Sequence, residues 1–405
     1  MRISGDVLIE KRKRKTGTLL ITGATGFLGS HIAAESAKRG YSLWIVARPG
    51  KHQTARGRVE QLFAWLEAGP WDRSKMRIIE GYLDQPDLGL DRAQYHELLD
   101  HADEIIHCAS STSFSERKRA EVETANIQAL QNVLDLAARS HSYYFHHIST
   151  AYVAGKREGL CLEELVATDQ FTNGYEETKY RGERMVADLC AQEGIRLNIY
   201  RPSIVYGNSK DGRSLSFRAL YYPVRTVLFF KNLYETDIKE NGGKRAKEMG
   251  VGLEGNGFFH LPIRLEGKTD GGINLIPIDF FLQAFLAVME ECLDGGTFHI
   301  VNRRLTKIEE LIDYTQRLFQ INGIRAASAQ DFEKIPMNAL EILFDSYLEA
   351  YKPYIRDSRI FASTKAEDIL QKRQIVCPDL DFDVFSRCMR YAVASGWGAK
   401  SFTTR

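Results

Sequence analysis

Short apolar runs alternate along this chain with longer stretches in which apolar residues recur every three or four positions. Leu19-Leu20-Ile21 forms the first run, and helix-period apolar residues begin near Phe27. Further runs at 41–47, 76–80, 104–108, 143–148, 197–201 and 297–301 are short and nearly continuous, as buried strands are. Helical periodicity occupies 55–66, a stretch near 95–99, 120–138 and 175–192. Within 120–138, Leu130, Val133, Leu134 and Ala137 fall on one face. Strands alternating with helices at this spacing predict β-α-β units, a parallel sheet and right-handed crossovers.

The pattern changes after Gly207. Residues 209–272 are rich in Gly, Lys and Arg and carry the aromatic pairs Tyr221-Tyr222, Phe229-Phe230 and Phe258-Phe259, which reads as an insertion over a site rather than as sheet. Ile276-Pro277-Ile278-Asp279 opens a helix with Ile278, Phe281, Leu282, Phe285 and Met289 at helical spacing. From Thr306 onward the pattern is mostly helical, over 306–321, 337–351, 363–373 and 381–395.

Composition excludes several classes. A chain of 405 residues is long enough for a large core and two lobes. Its net charge of +1 gives no overall bias toward nucleic acid. Cys108, Cys161, Cys190, Cys292, Cys377 and Cys388 form no C-x-x-C pair, so reduced thiols in a cytoplasmic protein are expected. No apolar run approaches the roughly 18 residues of a membrane span. Lys11-Arg12-Lys13-Arg14-Lys15 lacks an apolar neighbour that would make it a secretory signal. It reads as a solvated leader; the alternative is a weak contact with an anionic membrane surface or acidic partner. His260 and His299 have no metal-ligand spacing and read as structural. Glu163-Glu164 and Glu176-Glu177 read as solvated faces. No G-x-S-x-G is present, which removes support for acyl-enzyme hydrolysis.

Two stretches carry chemistry. Thr22-Gly23-Ala24-Thr25-Gly26-Phe27-Leu28-Gly29 places three glycines between a strand and a helix. Such a turn presents backbone N–H groups and the positive end of the helix dipole to a pyrophosphate, the context of a dinucleotide site. Tyr175 and Lys179 stand one helical turn apart on one face. A cation beside a tyrosine lowers its pKa from about 10, which would make Tyr175 a usable acid. The preceding strand ends His147-Ile148-Ser149-Thr150-Ala151-Tyr152, and strand carboxyl ends are where open α/β sheets place their sites.

The segments T-G-A-T-G-F-L-G, S-T-A-Y-V-A-G, N-G-Y-E-E-T-K-Y-R-G-E and Y-R-P-S-I-V-Y-G resemble the extended short-chain dehydrogenase/reductase superfamily. S-T-A-Y-V-A-G, Arg48 and I-N-L-I-P-I-D-F are similar to the branch of thioester reductase domains and fatty acyl-CoA reductases, the male sterility NAD-binding family. These motifs span about residues 18–302, and the remainder matches only in helical character. The resemblance implies an α/β Rossmann domain with a doubly wound parallel sheet, over 16–208 and 273–302. A smaller, mostly helical substrate lobe would comprise 209–272 and 303–405.

By resemblance, Gly23, Thr25, Gly26, Phe27, Leu28 and Gly29 form the pyrophosphate turn, and Thr150, Tyr175 and Lys179 the catalytic triad. Thr150 is preferred to Ser149 because it stands five residues before Gly155. Asn126, in N-I-Q-A-L-Q-N-V-L, resembles the asparagine of the family's N-V-x-G-T-x-x-L, with a structural or proton-relay role. Pro202, Ser203 and Ile204 resemble the clamp on the nicotinamide carboxamide. His107, Cys108 and Ala109 stand where the family's chain passes the cofactor ribose, with Cys108 a packed residue rather than a nucleophile.

An arginine at the second strand's end accommodates a 2′-phosphate where an acid would bind the ribose hydroxyl. Arg48 therefore argues for NADP(H), with Arg58 a second contact. The branch's usual Gly-Asp-Leu after the third strand is here Gly81-Tyr82-Leu83. Leu83 stays a cofactor contact, while adenine must be held differently, with Tyr82 packing one solution.

The expected function is NADPH-dependent reduction of an acyl thioester to an aldehyde, with onward reduction to alcohol left open. The chain offers no room for an adenylation or carrier domain beside this fold, so the acyl group would arrive on coenzyme A or a separate carrier protein. Either a monomer or a homodimer is compatible. Aromatic residues of 217–230 and 258–259 would line an acyl tunnel or pack the insertion's own core. A nucleotide-sugar epimerase or dehydratase is disfavoured, because dehydratases carry Asp-Glu where Ala151-Tyr152 stands and epimerases keep an acid where Arg48 stands. A hydroxysteroid- or dihydroflavonol-type alcohol dehydrogenase would use the same triad on a ketone. A non-catalytic dinucleotide-binding protein would not need Thr150, Tyr175 and Lys179 together.

Overall fold

The computed structural model describes residues 17–69, 71–267 and 271–399, and the basic cluster at 11–15 lies outside the described residues. The first unit runs β1 (Thr18–Thr22), α1 (Phe27–Lys38), β2 (Ser42–Ala47), α2 (Ala55–Trp65), β3 (Met76–Glu80), α3 (Arg92–His101) and β4 (Glu104–His107). It continues through a helix at Arg119–Glu123 and a π-turn at Thr124–Gln128 into α4 (Ala129–Arg139), then β5 (Tyr144–Ile148), α5 (Gly174–Glu193) and β6 (Arg196–Pro202). After the second unit's first segment, α6 (Ile278–Glu291) and β7 (Gly296–Ile300) add the sheet's last helix and strand.

The seven strands pair in parallel in the order β7-β6-β5-β4-β1-β2-β3. Leu20, Ile21, Leu43, Ile45, Ile105, Ile106 and Phe145 are fully buried, as residues of a sheet covered on both faces must be. That explains why these strands appear as continuous apolar runs. Leu130, Val133, Leu134 and Ala137 of α4 bury against this sheet's core. Strand order reverses between β1 and β4, and such a reversal leaves a crevice at the carboxyl ends.

Polar bars cross the sheet inside the core. His146 Nε2 meets Glu104 Oε2 at 2.9 Å and its Nδ1 meets the Tyr200 hydroxyl at 2.9 Å, joining β4, β5 and β6. Glu183 of α5 accepts two hydrogen bonds from the Arg201 guanidinium of β6, at 2.8 and 2.6 Å, with both side chains buried. Arg201 also donates to Leu162 C=O and to His299 Nε2, and His299 Nδ1 donates to Ala362 C=O. His299 is thus a satisfied structural histidine.

The sequence pattern assigns 303–405 wholly to the second lobe, but Phe361–Val376 belongs to the first unit. The Glu163 carboxylate accepts from the backbone N–H groups of His299, Lys365 and Ala366, capping α7 (Thr364–Lys372). Arg373 then pairs with Glu290 and Glu291 of α6. Glu163 is therefore buried rather than part of a solvated face.

The second unit comprises Ile204–Asp279, Asn302–Ile360 and Cys377–Arg405. It contains the helices Tyr221–Glu240, Ile308–Phe319, Ala339–Leu348 and Phe382–Ala394, and also sheet. Phe259–Glu266 pairs in parallel with Ile321–Ala327 and antiparallel with Gly252–Leu253. This corrects the expectation that 209–272 carries no sheet, and it adds the strand Ile321–Ala327 to a region that is otherwise mostly helical, as its pattern predicts. Ile-Asn-Gly-Ile-Arg-Ala-Ala has little period-two pattern of its own, and its partner strand is remote in sequence. Phe230 and Phe259 are core residues beside Tyr234 and Phe344, so they pack the unit's own interior. Phe229 is 49% exposed. Among the described residues no helix is long and apolar enough to cross a membrane.

Removing one partner of a buried ion pair strands the other charge, at about 3–5 kcal/mol. Arg201→Met should therefore lower urea unfolding stability by about that much, and adding Glu183→Leu should restore most of it. A loss below about 1 kcal/mol for the single variant would show that the pair does not hold α5 to the sheet.

Candidate active site

The glycine turn connects β1 to α1 at the sheet's reversal point. Gly23 has φ of +75°, and a Cβ there would lie 2.5 Å from the Ala109 backbone nitrogen. A Cβ on Gly29 would lie 2.2 Å from the Gly23 carbonyl oxygen. Only glycine permits these approaches. Gly26 N–H donates to Gly23 C=O at 2.9 Å, and α1 begins without a side-chain cap or an acid in its first turn. An uncapped helix start of this kind leaves N–H groups that can receive an anion, with Thr25, Phe27 and Leu28 on the same turn.

Arg48 is exposed at the end of β2, and Arg58 Nη1 on α2 donates to the Arg48 carbonyl at 2.7 Å. Burial and the neighbouring Arg48 charge both push the Arg58 pKa down. The structure shows no ion pair between either arginine and a described carboxylate. At the end of β3, Tyr82 is 36% exposed, and Leu83 C=O accepts from Asn132 Nδ2 at 2.7 Å. After β4, Cys108 N–H donates to Thr22 C=O. Burial pushes the Cys108 thiol up to about 12, which agrees with a packed residue rather than a nucleophile.

Thr150 follows β5, and its hydroxyl accepts from Tyr152 N–H at 3.3 Å. Asn173 caps α5 by accepting from Glu176 N–H at 3.1 Å, while the Glu176 carboxylate accepts from Thr172 N–H at 2.8 Å. Glu176 is consequently buried, not solvated. This cap sets the first turn of α5, where the Thr150 side chain acts on the Tyr175 phenol and favours its ionised form. One turn later Lys179 Nζ donates to Ile148 C=O at 2.7 Å.

Helical spacing alone gives Lys179 the role of pulling the Tyr175 pKa down. The structure differs, because burial pushes the phenol up to about 12 and the Thr150 hydrogen bond only opposes it. Tyr175 thus keeps its proton throughout the neutral range. Burial lowers Lys179 to about 8, which leaves it mainly charged at neutral pH. Beneath it lies a polar row that no sequence motif groups together. Thr22 Oγ1 meets His107 Nδ1 at 2.9 Å, and the His107 and His147 rings stack at 5.8 Å and 4°. Burial, then the Lys179 charge, holds His107 at about 3 and His147 well below its ordinary value. Both imidazoles are neutral, so Lys179 is the cation of this neighbourhood.

Asn126 is buried in the π-turn. It hydrogen-bonds Ser111 and Thr178, which identifies it as a tie between the loop after β4 and the helix of Tyr175. Pro202 pairs with Ile300 across the sheet edge, and Ser203 N–H donates to Ile300 C=O at 3.1 Å. The Ser203 hydroxyl is buried without a protein hydrogen-bond partner among the described residues. Ile204 begins the second unit, its N–H donating to Asn274 C=O. Among the described residues no group of three or more His, Cys, Asp or Glu is placed to hold a metal. The glycine cradle, the open helix terminus, the orphan Ser203 hydroxyl and two arginines without an acid partner fit a dinucleotide.

A family model described as "Male sterility protein" matches residues 21–284. A linear gramicidin synthase from Brevibacillus parabrevis is 24% identical over 399 residues, covering 93% of this chain and 7% of that protein. Fatty acyl-CoA reductase 1 from Gallus gallus is 30% identical over 229 residues, covering 48% of this chain and 44% of that protein. The chain thus spans less than half the length of either relative. The terminal R domain of the myxalamid PKS-NRPS biosynthetic pathway shares the fold, with a TM-score of 0.71, 20% identity, and 94% and 91% of the two chains covered.

Gly29→Ala would place its Cβ against the Gly23 carbonyl and deform the turn. Fluorescence titration with NADPH should show binding lost in this variant while the far-UV circular dichroism is kept. Unchanged affinity would remove the turn from the dinucleotide site.

Proposed function

The chain belongs to the male sterility protein family, and on that premise we propose that it is an NADPH-dependent reductase of acyl thioesters, forming an aldehyde and a free thiol. The observation that carries this reading is the grouping of Thr150, Tyr175 and Lys179 at the carboxyl end of β5, where the Thr150 side chain acts on the Tyr175 phenol and Lys179 Nζ donates to Ile148 C=O at 2.7 Å. The similarity to a fatty acyl-CoA reductase and to a reductase domain of a PKS-NRPS pathway supports a thioester as the substrate. Coenzyme A or a separate carrier protein would deliver the acyl group.

NADPH supplies the hydride when bound. Tyr175 is protonated at neutral pH and gives its proton to the substrate carbonyl oxygen. Thr150 hydrogen-bonds the same oxygen and aligns the phenol. Lys179 places a positive charge beside the proton donor and holds ribose hydroxyls. The resulting hemithioacetal breaks its C–S bond, and the sulfur leaves as the thiol while the carbon becomes the aldehyde. Arg48 and Arg58 bind the 2′-phosphate that separates NADPH from NADH, since neither charge is spent on a described carboxylate. The free cysteines fit a reducing, cytoplasmic setting.

The deciding assay follows NADPH oxidation with hexanoyl-CoA, with UDP-glucose and a simple ketone in parallel. Turnover is expected with the thioester, and Tyr175→Phe should lower kcat by roughly 10²–10⁴-fold. Turnover of the sugar or ketone and none of the thioester would sink the reading. Arg48→Ala should weaken NADPH binding and leave NADH binding unaltered; equal effects on both would remove the 2′-phosphate role. Because Lys179 is charged only below about 8, kcat/KM for reduction should fall as pH rises through that value. A profile flat well above it would show that the charge is not used.

A further inference from the structure

The glycine turn leaves β1 with two strands on either side of it before Thr150 and Tyr82 are reached. On one side, Thr22 is level with His107 of β4, and His107 with His147 of β5, the strand that leads to Thr150. On the other, Thr22 is level with Val46 of β2, and Ala47 with Glu80 of β3, the strand that leads to Tyr82. Neighbouring strands lie about 4.8 Å apart, so Thr150 and Tyr82 follow strands about 10 Å to either side of the turn. A dinucleotide carries its pyrophosphate between two nucleosides. With the pyrophosphate at the turn and the nicotinamide half directed to Thr150 and Tyr175, the adenosine half extends over the ends of β2 and β3. Arg48 leaves the first of these strands and Tyr82 follows the second.

The loop that carries Tyr82 is closed on itself. Tyr82 N–H donates to Leu88 C=O at 2.7 Å, and Tyr82 C=O accepts from Gln85 N–H at 3.0 Å. Gly81 N–H donates to Ala47 C=O at 3.1 Å, which ties the loop's start to β2. Asp87, Leu88 and Gly89 then follow in the left-handed region, with φ of +49°, +59° and +66°. Two of the three are not glycine, and such residues persist where the surrounding structure holds them, often at functional sites. Here Leu88 is fully buried in the core. Asn132 Nδ2 donates to Leu83 C=O at 2.7 Å and Gln128 Nε2 to Asp84 C=O at 3.1 Å, pinning the other side. This fixed backbone presents the Tyr82 ring, which is 36% exposed. A Cβ on Gly89 would lie 3.3 Å from Tyr82 Cδ2, so the ring lies against glycine. Among the described residues no hydrogen bond or aromatic contact engages its side chain. An aromatic ring so placed offers a flat apolar surface, and every nucleic base has a π face to match it.

We propose that Tyr82 is the stacking platform for the adenine ring of the dinucleotide, and that the protein holds this base by its face rather than by its amine. This rests on the dinucleotide part of the reading above and is independent of which substrate takes the hydride. A carboxylate at this position would accept a hydrogen bond from the adenine amine, whereas the tyrosine ring binds through its π face. Arg48 and Arg58 then hold the ribose phosphate, and Tyr82 the base beyond it.

The test is calorimetric binding to the full chain, with no turnover. NADPH is compared with nicotinamide hypoxanthine dinucleotide phosphate, in which oxygen replaces the adenine amine. The wild-type protein should bind the two less than about tenfold apart, because stacking tolerates the exchange. A carboxylate acceptor would disfavour hypoxanthine by roughly tenfold or more. Tyr82→Ala should weaken NADPH binding by roughly 5- to 100-fold. Adenosine 2′,5′-bisphosphate, which lacks the nicotinamide half, should weaken by the same factor. Tyr82→Phe keeps the ring and should keep both affinities. A wild-type preference for adenine of about tenfold or more would show that an acceptor such as Asp84 reads the amine, and it overturns the proposal. Unaltered affinities in Tyr82→Ala overturn it, and so does a loss seen with NADPH but not with the bisphosphate. A loss in Tyr82→Phe as large as that in Tyr82→Ala also overturns it, because the hydroxyl would then carry the contact. Each of these outcomes leaves the dinucleotide reading standing. Binding of neither NADPH nor NADH to the wild-type protein overturns the dinucleotide reading and the platform with it.

Discussion

The docking of α5 onto β5 and β6 is the constraint on which the site depends. Three contacts set it, each in a different part of the helix. Asn173 and Glu176 cap its start, Lys179 reaches the Ile148 carbonyl, and Glu183 meets Arg201 inside the core. A slide by one residue would turn Tyr175 away from Thr150 and leave Glu183 and Arg201 as unpaired buried charges. Buried pairs of this kind add little net stability over an apolar core, but they penalise every other register heavily. Here the penalty holds in place Tyr175, the proton donor of the proposed reaction.

Electrostatics beneath the site follow one pattern. Burial is the largest influence on five groups here, raising the Tyr175 phenol and the Cys108 thiol and lowering Lys179, His107 and His147. The outcome is a protonated phenol with the charged Lys179 one turn away, over two neutral imidazoles. That arrangement suits protonation of an oxygen that is gaining negative charge, since the donor keeps its proton until the substrate needs it. Arg48, exposed at the end of β2, and Arg58, half-buried on α2, have no ion pair with a described carboxylate. Their charge remains available to a phosphate.

The first unit's strands were legible because a parallel sheet covered on both faces needs uninterrupted apolar runs. The glycine turn was legible because backbone contacts at Gly23 and Gly29 admit no other residue. Ile321–Ala327 was not, because its strand character comes from pairing with Phe259–Glu266 far away in sequence. Glu163 and Glu176 looked like surface acids because a lone carboxylate in a sequence does not show the N–H groups it will accept from. The same holds for Phe361–Val376, whose place in the first unit depends on Glu163 capping a helix that lies much later in the chain.

What the sequence determined by itself was local and periodic: where strands and helices fall, which turn requires glycine, and which residues share a helical face. It could therefore put Tyr175 and Lys179 on one helical face, while Thr150 was singled out by resemblance to the family's motif. Only the tertiary structure decided their protonation, since the pKa of Tyr175 is governed by how much water the fold removes around it rather than by a lysine four residues away. Tertiary structure likewise decided what Asn126 does, because its four hydrogen bonds join a loop, a π-turn and a helix that are separate in the chain. Periodicity records how a segment faces its neighbours, whereas desolvation and long-range hydrogen bonds exist only once those neighbours are in place.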